Sequence, residues 1–322
     1  MGVEMARRSG ASTVLGVGSG SAIDLAKVVA SSLSRQNDVE LVLAPATVGA
    51  AMASMSVGSM VLSQEEEALL PPEFIGSGSL VGSLEGVDTT VILDEYAMAV
   101  PLKQSVSSTG TARKGSTATV VDAALGAISL CIDAAVSSPS MIDAHRKILI
   151  DKTIEHSLCA LSDLDVQSNG GAAKSHAIAA VVHAGQLICF GNMHKGLIRQ
   201  RSVPIALASS LLPRYFPHGH ILTFFASMLP GICATLPAKP GCSEAVGIVA
   251  SSITGGGDVL DLVEWAESVS KNAEIPTMAS LAEGAPDIHA MMGRLDANAA
   301  LLNCEDASYD YLEEVMQRSL SR

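Results

Sequence analysis

The period of the hydrophobic positions changes once along this chain. In roughly the first third, apolar residues come in short runs: Thr13 to Val17, Leu41 to Ala44 followed by Pro45, and Thr89 to Leu93 followed by Asp94. Short apolar runs bounded by Gly, Pro or Asp predict buried strands. Between the first two runs, Ala22 to Ala30 carries helical spacing. Strand, loop, helix and strand in this order predict an α/β layer on a parallel sheet.

After about Pro101 the alternation disappears and helical patterns replace it. The clearest are Asp122 to Val136, Met141 to Leu161, Lys174 to Phe190 and Leu260 to Ala273. Breakers fall between or after them: Ser138-Pro139, Asn169-Gly170-Gly171, Pro217-His218-Gly219, Pro237 to Gly241 and Gly255-Gly256-Gly257. Ser105 to Thr119 is rich in Ser and Thr and reads as a linker or an insertion. The chain therefore divides into an α/β part, residues 1–104, and an all-α part, residues 105–322. No internal repeat is visible.

Composition sharpens this picture. Of 322 residues, 48% are hydrophobic but only 3% are aromatic, so two cores must be built from Ala, Val, Leu, Ile and Met. The formal net charge of −13 excludes nucleic acid and anionic membrane as expected partners, because the chain offers neither a cationic surface. The apolar stretch Ile221 to Leu236 is too short to span a bilayer and is interrupted by Pro230 and Gly231. Six cysteines (Cys131, Cys159, Cys189, Cys233, Cys242, Cys304) show no paired spacing, so neither a disulfide framework nor a zinc knuckle is expected. A reducing compartment follows, the cytoplasm in the first instance. An organellar leader ahead of Met1 stays open.

Candidate chemistry begins where the first strand gives way to the first helical run. Gly16-Val17-Gly18-Ser19-Gly20-Ser21-Ala22-Ile23-Asp24 combines residues that permit positive φ and close backbone approach with the free amides of a helix N-terminus, a ready site for a pyrophosphate. A tight turn with Ser21 capping the helix accounts for the same residues.

The wider context resembles one family. Gly18 to Lys27 (Gly-Ser-Gly-Ser-x-x-Asp-x-Ala-Lys) is similar to the Gly-Gly-Gly-Ser-x-x-Asp-x-Ala-Lys signature of the iron-containing alcohol dehydrogenases. Further landmarks follow in that family's order. They are Ala44-Pro45-Ala46-Thr47-Val48-Gly49, Val91-Ile92-Leu93-Asp94, Asp122 to Ile128, Ala184-Gly185 through Phe190-Gly191-Asn192, Pro217-His218-Gly219, and Ile275-Pro276 with Leu281. The resemblance implies a dehydroquinate synthase-like fold: a Rossmann-like parallel sheet, here incomplete, followed by a helical metal and substrate domain. Only Met1 to Ser12, resembling the end of one helix, precedes the glycine loop, so the chain is expected to lack the family's first elements and to leave a sheet edge unpaired.

What the resemblance implies chemically is hydride exchange between NAD or NADP and a small alcohol, aldehyde or ketone, in a homodimer. Gly18, Ser19, Gly20 and Ser21 would hold the pyrophosphate, with Asp24 on the first helical turn and Thr47 and Gly49 as contacts from a second loop. That loop departs from the pattern, since Ala50, Ala51, Met52 and Ala53 stand where the family has Thr-Gly-Ser-Glu. The divalent ion, Fe2+ or Zn2+, would be held by Asp122 and His218. Two further ligand positions carry no imidazole: Gly126 stands one helical turn after Asp122, and Pro204 or Arg199, depending on register, stands at the other. The family's active-site His position is Ala208, which leaves the catalytic residue unassigned; His220 and His194 are possible substitute ligands. The alternative expectation is a catalytically impaired relative that keeps the scaffold and binds nucleotide.

Overall fold

The computed structural model describes residues 2–34, 38–55, 58–61, 79–82, 87–94, 98, 115–137, 144–165, 170–193, 204, 207–208, 211, 221–238, 243–282, 288–291 and 309–321. The chain falls into two compact units, Met1–Val100 and Pro101–Arg322.

In the first unit, α1 (Gly2–Ser9) precedes β1 (Thr13–Gly18), α2 (Gly20–Ser34), β2 (Glu40–Pro45), α3 (Val48–Met55), β3 (Gly58–Val61), β4 (Ser79–Gly82) and β5 (Asp88–Val91). All three apolar runs become strands of one parallel sheet, ordered β1-β2-β5, with Leu15 beside Val42 and Val42 beside Thr90. Alternation along the strands sorts the side chains into two faces. Leu41 and Leu43 point to the covered face, where Ile23, Ala26, Ala30 and Leu33 of α2 and Ala50 of α3 complete a dry core. On the opposite face Leu15 and Val17 are 64% and 60% exposed and Ile92 is half-exposed. The antiparallel pair β3–β4, which the sequence pattern did not indicate, packs against α2.

Gly16 sets how closely α2 can lie on the sheet. A Cβ there would sit 2.6 Å from Ala26 Cβ and 3.0 Å from Leu43 Cδ2, so only glycine permits the observed spacing.

The second unit is built around α4 (Gly115–Ser137), in which every residue from Val120 to Ala135 is buried. Packed with it are α5 (Ala144–Asp165), α6 (Gly170–Met193) and α7 (Ile221–Thr235). Beyond a 3-10 turn at Leu236–Ala238 come α8 (Ser243–Thr254), α9 (Val259–Asn272), the short α10 (Met278–Leu281) and α11 (Tyr309–Leu320). The segment Ala118–Ala135 is long and apolar enough to cross a membrane, with 89% of it buried inside the unit. Burial on that scale marks it as the hub of a bundle. Its small residues, Ala123, Ala124, Gly126, Ala127, Ala134 and Ala135, let three helices approach at once.

Two expectations are corrected by these helices. The Ser/Thr-rich stretch does not stay irregular to Thr119, because residues 115–119 already form the first turn of α4; residues 105–114 lie outside the described residues. Pro230 and Gly231 do not interrupt the apolar run either, but lie inside α7. A proline in a helix interior costs about 3 kcal/mol. Here contacts on all sides outweigh it, since every residue from Phe224 to Cys233 is buried.

Between α5 and α6 lies a cluster of three imidazoles. His156 Nδ1 is 3.0 Å from His176 Nδ1, and the His156 ring stacks on that of His183, centroid to centroid 5.4 Å. Burial, then the neighbouring His176, holds the His156 pKa below the ordinary histidine value; burial, then His156, does the same for His183. Both groups therefore bind protons more readily in the unfolded chain. Their contribution to stability is complete above the unfolded pKa, about 6.5, and is lost as the pH falls below it. Thermal unfolding followed by circular dichroism is expected to show a falling Tm between pH 7.5 and 5.5. The double variant His156→Gln/His183→Gln should flatten that slope; an unchanged slope would remove the cluster as its cause.

Candidate functional site

The first candidate site is the turn between β1 and α2. Gly18 ends the strand with φ at +136°, a region that L side chains rarely adopt, and a Cβ there would meet Ala22 Cβ at 3.2 Å. The Ser19 carbonyl then accepts from Ala22 N at 3.0 Å and Ile23 N at 3.1 Å. The amides of Gly20 and Ser21 thus lie ahead of the first helical hydrogen bond, where the partial positive charge of the helix dipole is concentrated. Ser19 and Ser21 are exposed and Gly18 and Gly20 half-buried, so the amides are accessible to a ligand.

A second turn lies beside the first, because Gly18 is paired with Pro45 in the sheet register and its carbonyl accepts from Ala46 N at 2.8 Å. Here Thr47 acts as a cap: its Oγ1 accepts from Ala50 N at 3.1 Å and its carbonyl accepts from Ala51 N at 3.0 Å. Gly49 lies in the first turn of α3. The Ala-Ala-Met-Ala segment that departs from the family's loop is the body of this helix, with Ala50, Ala51 and Met52 buried in the core.

Asp24 and Lys27 tie the two turns together from below. Lys27 is fully buried, donates to the Ala53 carbonyl at the end of α3, and lies 3.7 Å from Asp24 Oδ1 on its own helix. An ammonium without water contact needs such partners. The structure therefore gives Asp24 a role in holding Lys27, and through it the α2–α3 pair that presents both helix N-termini at one end of the sheet. Gly18, Ser19, Gly20, Ser21, Thr47 and Gly49 are brought together at that end.

The second candidate site is on α4. Asp122 is buried and its Oδ2 accepts from Thr223 Oγ1 of α7 at 2.6 Å. One turn on, Gly126 faces the same helix, and a Cβ there would lie 3.0 Å from the Leu222 carbonyl oxygen and 3.3 Å from Phe225 Cβ. The position at which the family carries an imidazole is thus filled by the backbone of α7. Pro204 and Ala208 are buried. His218, His194, His220 and Arg199 lie outside the described residues. Among the described residues no group of three or more His, Cys, Asp or Glu converges in a way that could hold a metal ion. Of the expected donors only Asp122 falls among the described residues, fewer than the three or four protein ligands that a catalytic divalent ion ordinarily has.

Reading the sequence by motif missed Thr223 and the histidine cluster. Thr223 had no signal beyond its place five residues after His218. The histidines had one, since His176 and His183 are two helical turns apart on α6, as are His156 and Asp163 on α5.

No family model and no curated protein matches the chain. Solved structures do. The chain is similar to a maleylacetate reductase from Agrobacterium tumefaciens at 16% identity and a TM-score of 0.64, with 99% of this chain and 77% of that one aligned. It is similar to an iron-containing alcohol dehydrogenase from Thermococcus thioreducens at 15% identity and a TM-score of 0.65, covering 99% and 80% of the two chains. A third likeness is to a sulfoacetaldehyde reductase from Bifidobacterium kashiwanohense in complex with NAD+, at 15% identity, a TM-score of 0.66, and 99% and 79% coverage. The chain has the fold of the iron-containing alcohol dehydrogenases and maleylacetate reductases: a small parallel sheet in an α/β part, then a helical part.

If α7 occupies the family's second ligand position, Gly126→His cannot restore a ligand. It is expected to overpack the α4–α7 contact and lower the unfolding free energy by about 1–3 kcal/mol. Urea denaturation with and without Fe2+ checks this. A variant as stable as the parent, and further stabilised by Fe2+, would refute the packing account.

Proposed function

We propose that this protein is an NAD(P)-dependent oxidoreductase that exchanges hydride between the nicotinamide ring and the carbonyl carbon of a small aldehyde or ketone, or the matching alcohol. The observation that carries the proposal is the β1–α2 turn. Gly18 at positive φ, the leading amides of Gly20 and Ser21, and the adjoining start of α3 make a cradle for a pyrophosphate. Gly18, Ser19, Gly20 and Ser21 would hold that group, with Thr47 and Gly49 as neighbouring contacts and Asp24 keeping Lys27, and hence the helix pair, in place. The bound cofactor supplies the hydride. The solved structure in complex with NAD+ supports this use of the fold.

Asp122 and His218 are assigned as the residual ligands for Fe2+ or Zn2+. Two protein ligands fall short of a catalytic site, and no step of the hydride exchange is assigned to an ion. Gly126 and the Asp122–Thr223 hydrogen bond favour a second reading: a scaffold that keeps dinucleotide binding without turnover.

The test separates the two. NADH and NADPH binding are measured by fluorescence titration, and oxidation of each is then followed anaerobically with small aldehydes and ketones, with added Fe2+ or Zn2+ and with chelator. Saturable binding is expected, weakened about tenfold or more in Gly18→Ala, because forcing a side chain into that φ region costs on the order of 1–3 kcal/mol. Turnover establishes the oxidoreductase reading, and its loss on chelation would show that Asp122 and His218 suffice to hold the ion. Binding without turnover establishes the second, and no binding of either nucleotide overturns both.

A further inference from the structure

The imidazoles between α5 and α6 belong to neither candidate site, and none of their residues is shared with the Asp122–His218 pair. His156 of α5 lies between two rings of α6, His176 and His183, which are two helical turns apart. Its Nδ1 is 3.0 Å from His176 Nδ1, and its face stacks on His183 with centroids 5.4 Å apart. The centroids of His156 and His176 are 5.3 Å apart, close to the most that a 3.0 Å contact between two such rings allows. The two Nδ1 atoms therefore point straight at each other, the geometry of a single N–H···N hydrogen bond.

A bond of this form depends on how many protons the pair holds. In the neutral pair one ring must carry its proton on Nδ1 and the other on Nε2, because neither two lone pairs nor two N–H groups bond face to face. A third proton is accepted on the free Nε2 of the donor ring and leaves the N–H···N contact intact, now charge-assisted. A fourth turns the acceptor nitrogen into a second N–H and sets two positive rings against each other. The bond does not survive that step. Burial, then His176, holds the His156 pKa below the ordinary histidine value, so the step belongs below about pH 6.5.

No charged neighbour takes over the bond. Lys152 and Glu155 of α5 are occupied with each other at 2.6 Å. Asp163 Oδ2 is 3.7 Å from His176 Nε2, a neighbouring charge and not a hydrogen-bond partner. Lys174 stands two residues before His176 and so on another side of α6. On α4, which packs on both helices, Asp122 is turned to Thr223 of α7. Its other carboxylate, Asp133, adjoins Ala134, whose carbonyl takes Arg146, ten residues along α5 from His156. α8 meets α5 beside Lys147 and Asp151, more than one turn before His156.

We propose that the His156–His176 hydrogen bond is an acid-operated latch between α5 and α6, closed while the pair holds two or three ring protons and open once it holds four. Opening loosens the facing sides of α5 and α6 and leaves the core of α4, which carries no imidazole, in place. The latch is independent of the hydride-transfer reading.

The test uses the full chain labelled with 15N in histidine. At pH 7.5 a nitrogen–nitrogen coupling across the hydrogen bond is expected between His156 Nδ1 and His176 Nδ1, and it should vanish by about pH 4.5. This reading needs no variant to fold. Amide hydrogen exchange, corrected for its intrinsic pH dependence, is then compared at the same two pH values in α4, α5 and α6. In the parent, acid is expected to raise exchange in α5 and α6 by about tenfold or more relative to α4, as the loss of one charge-assisted hydrogen bond implies. His176→Gln has no second imidazole to charge, so the rise should disappear there, whereas His183→Gln should keep it. Absence of the coupling at pH 7.5, its persistence at pH 4.5, an equal rise in all three helices, a rise undiminished in His176→Gln, or a rise lost in His183→Gln would each overturn the proposal.

Discussion

The contact between α4 and α7 at Gly126 is the constraint on which the helical unit depends. With no side chain there, the Leu222 carbonyl and the Phe225 side chain come within van der Waals range of the α4 backbone. That approach buries α4 from Val120 to Ala135 and brings Thr223 to Asp122. It also lets a helix with a proline at its centre persist, because Phe224, Phe225, Met228 and Leu229 of α7 are fully buried. A larger residue at position 126 would separate the helices and expose apolar surface along both. Packing and chemistry are thus opposed at this residue: the spacing that makes a continuous core removes the room for a ligand.

The α/β unit is organised by a similar economy of side chains. Gly16 seats α2 on the sheet, and Gly18 turns the chain so that the first amides of α2 face the end of the sheet. The second turn is joined to the first by one backbone hydrogen bond, Ala46 N to Gly18 O, and by the buried Lys27 reaching from α2 to the end of α3. A buried ammonium is tolerated because Asp24 lies beside it and the Ala53 carbonyl accepts from it. The Asp-x-Ala-Lys of the glycine-loop motif is here a brace between two helices, α2 and α3.

The histidine cluster shows how a helix pair stores polar chemistry without a dedicated pocket. His156, His176 and His183 are partly buried, and burial is the chief reason that His156 and His183 bind protons less readily than an ordinary histidine.

Much of the fold was legible from sequence, and for a physical reason. Three apolar runs and one helical period suffice to define a parallel layer, since strand and helix periods differ and local spacing records them. The glycine loop was legible too, because Gly18 performs a backbone task that no other residue does. The β3–β4 pair was not legible, its strands being four residues each with no alternation to mark them. Nor was the α-helical state of Pro230, which burial decides against propensity. By itself the sequence determined the period of each element and which ligand types were present or missing. Only the tertiary structure decided what those residues meet: that Gly126 is filled by α7, that Asp122 receives Thr223, that Thr47 caps a helix, and that histidines twenty residues apart touch. Those facts depend on distances between segments remote in the chain, which periodicity does not encode.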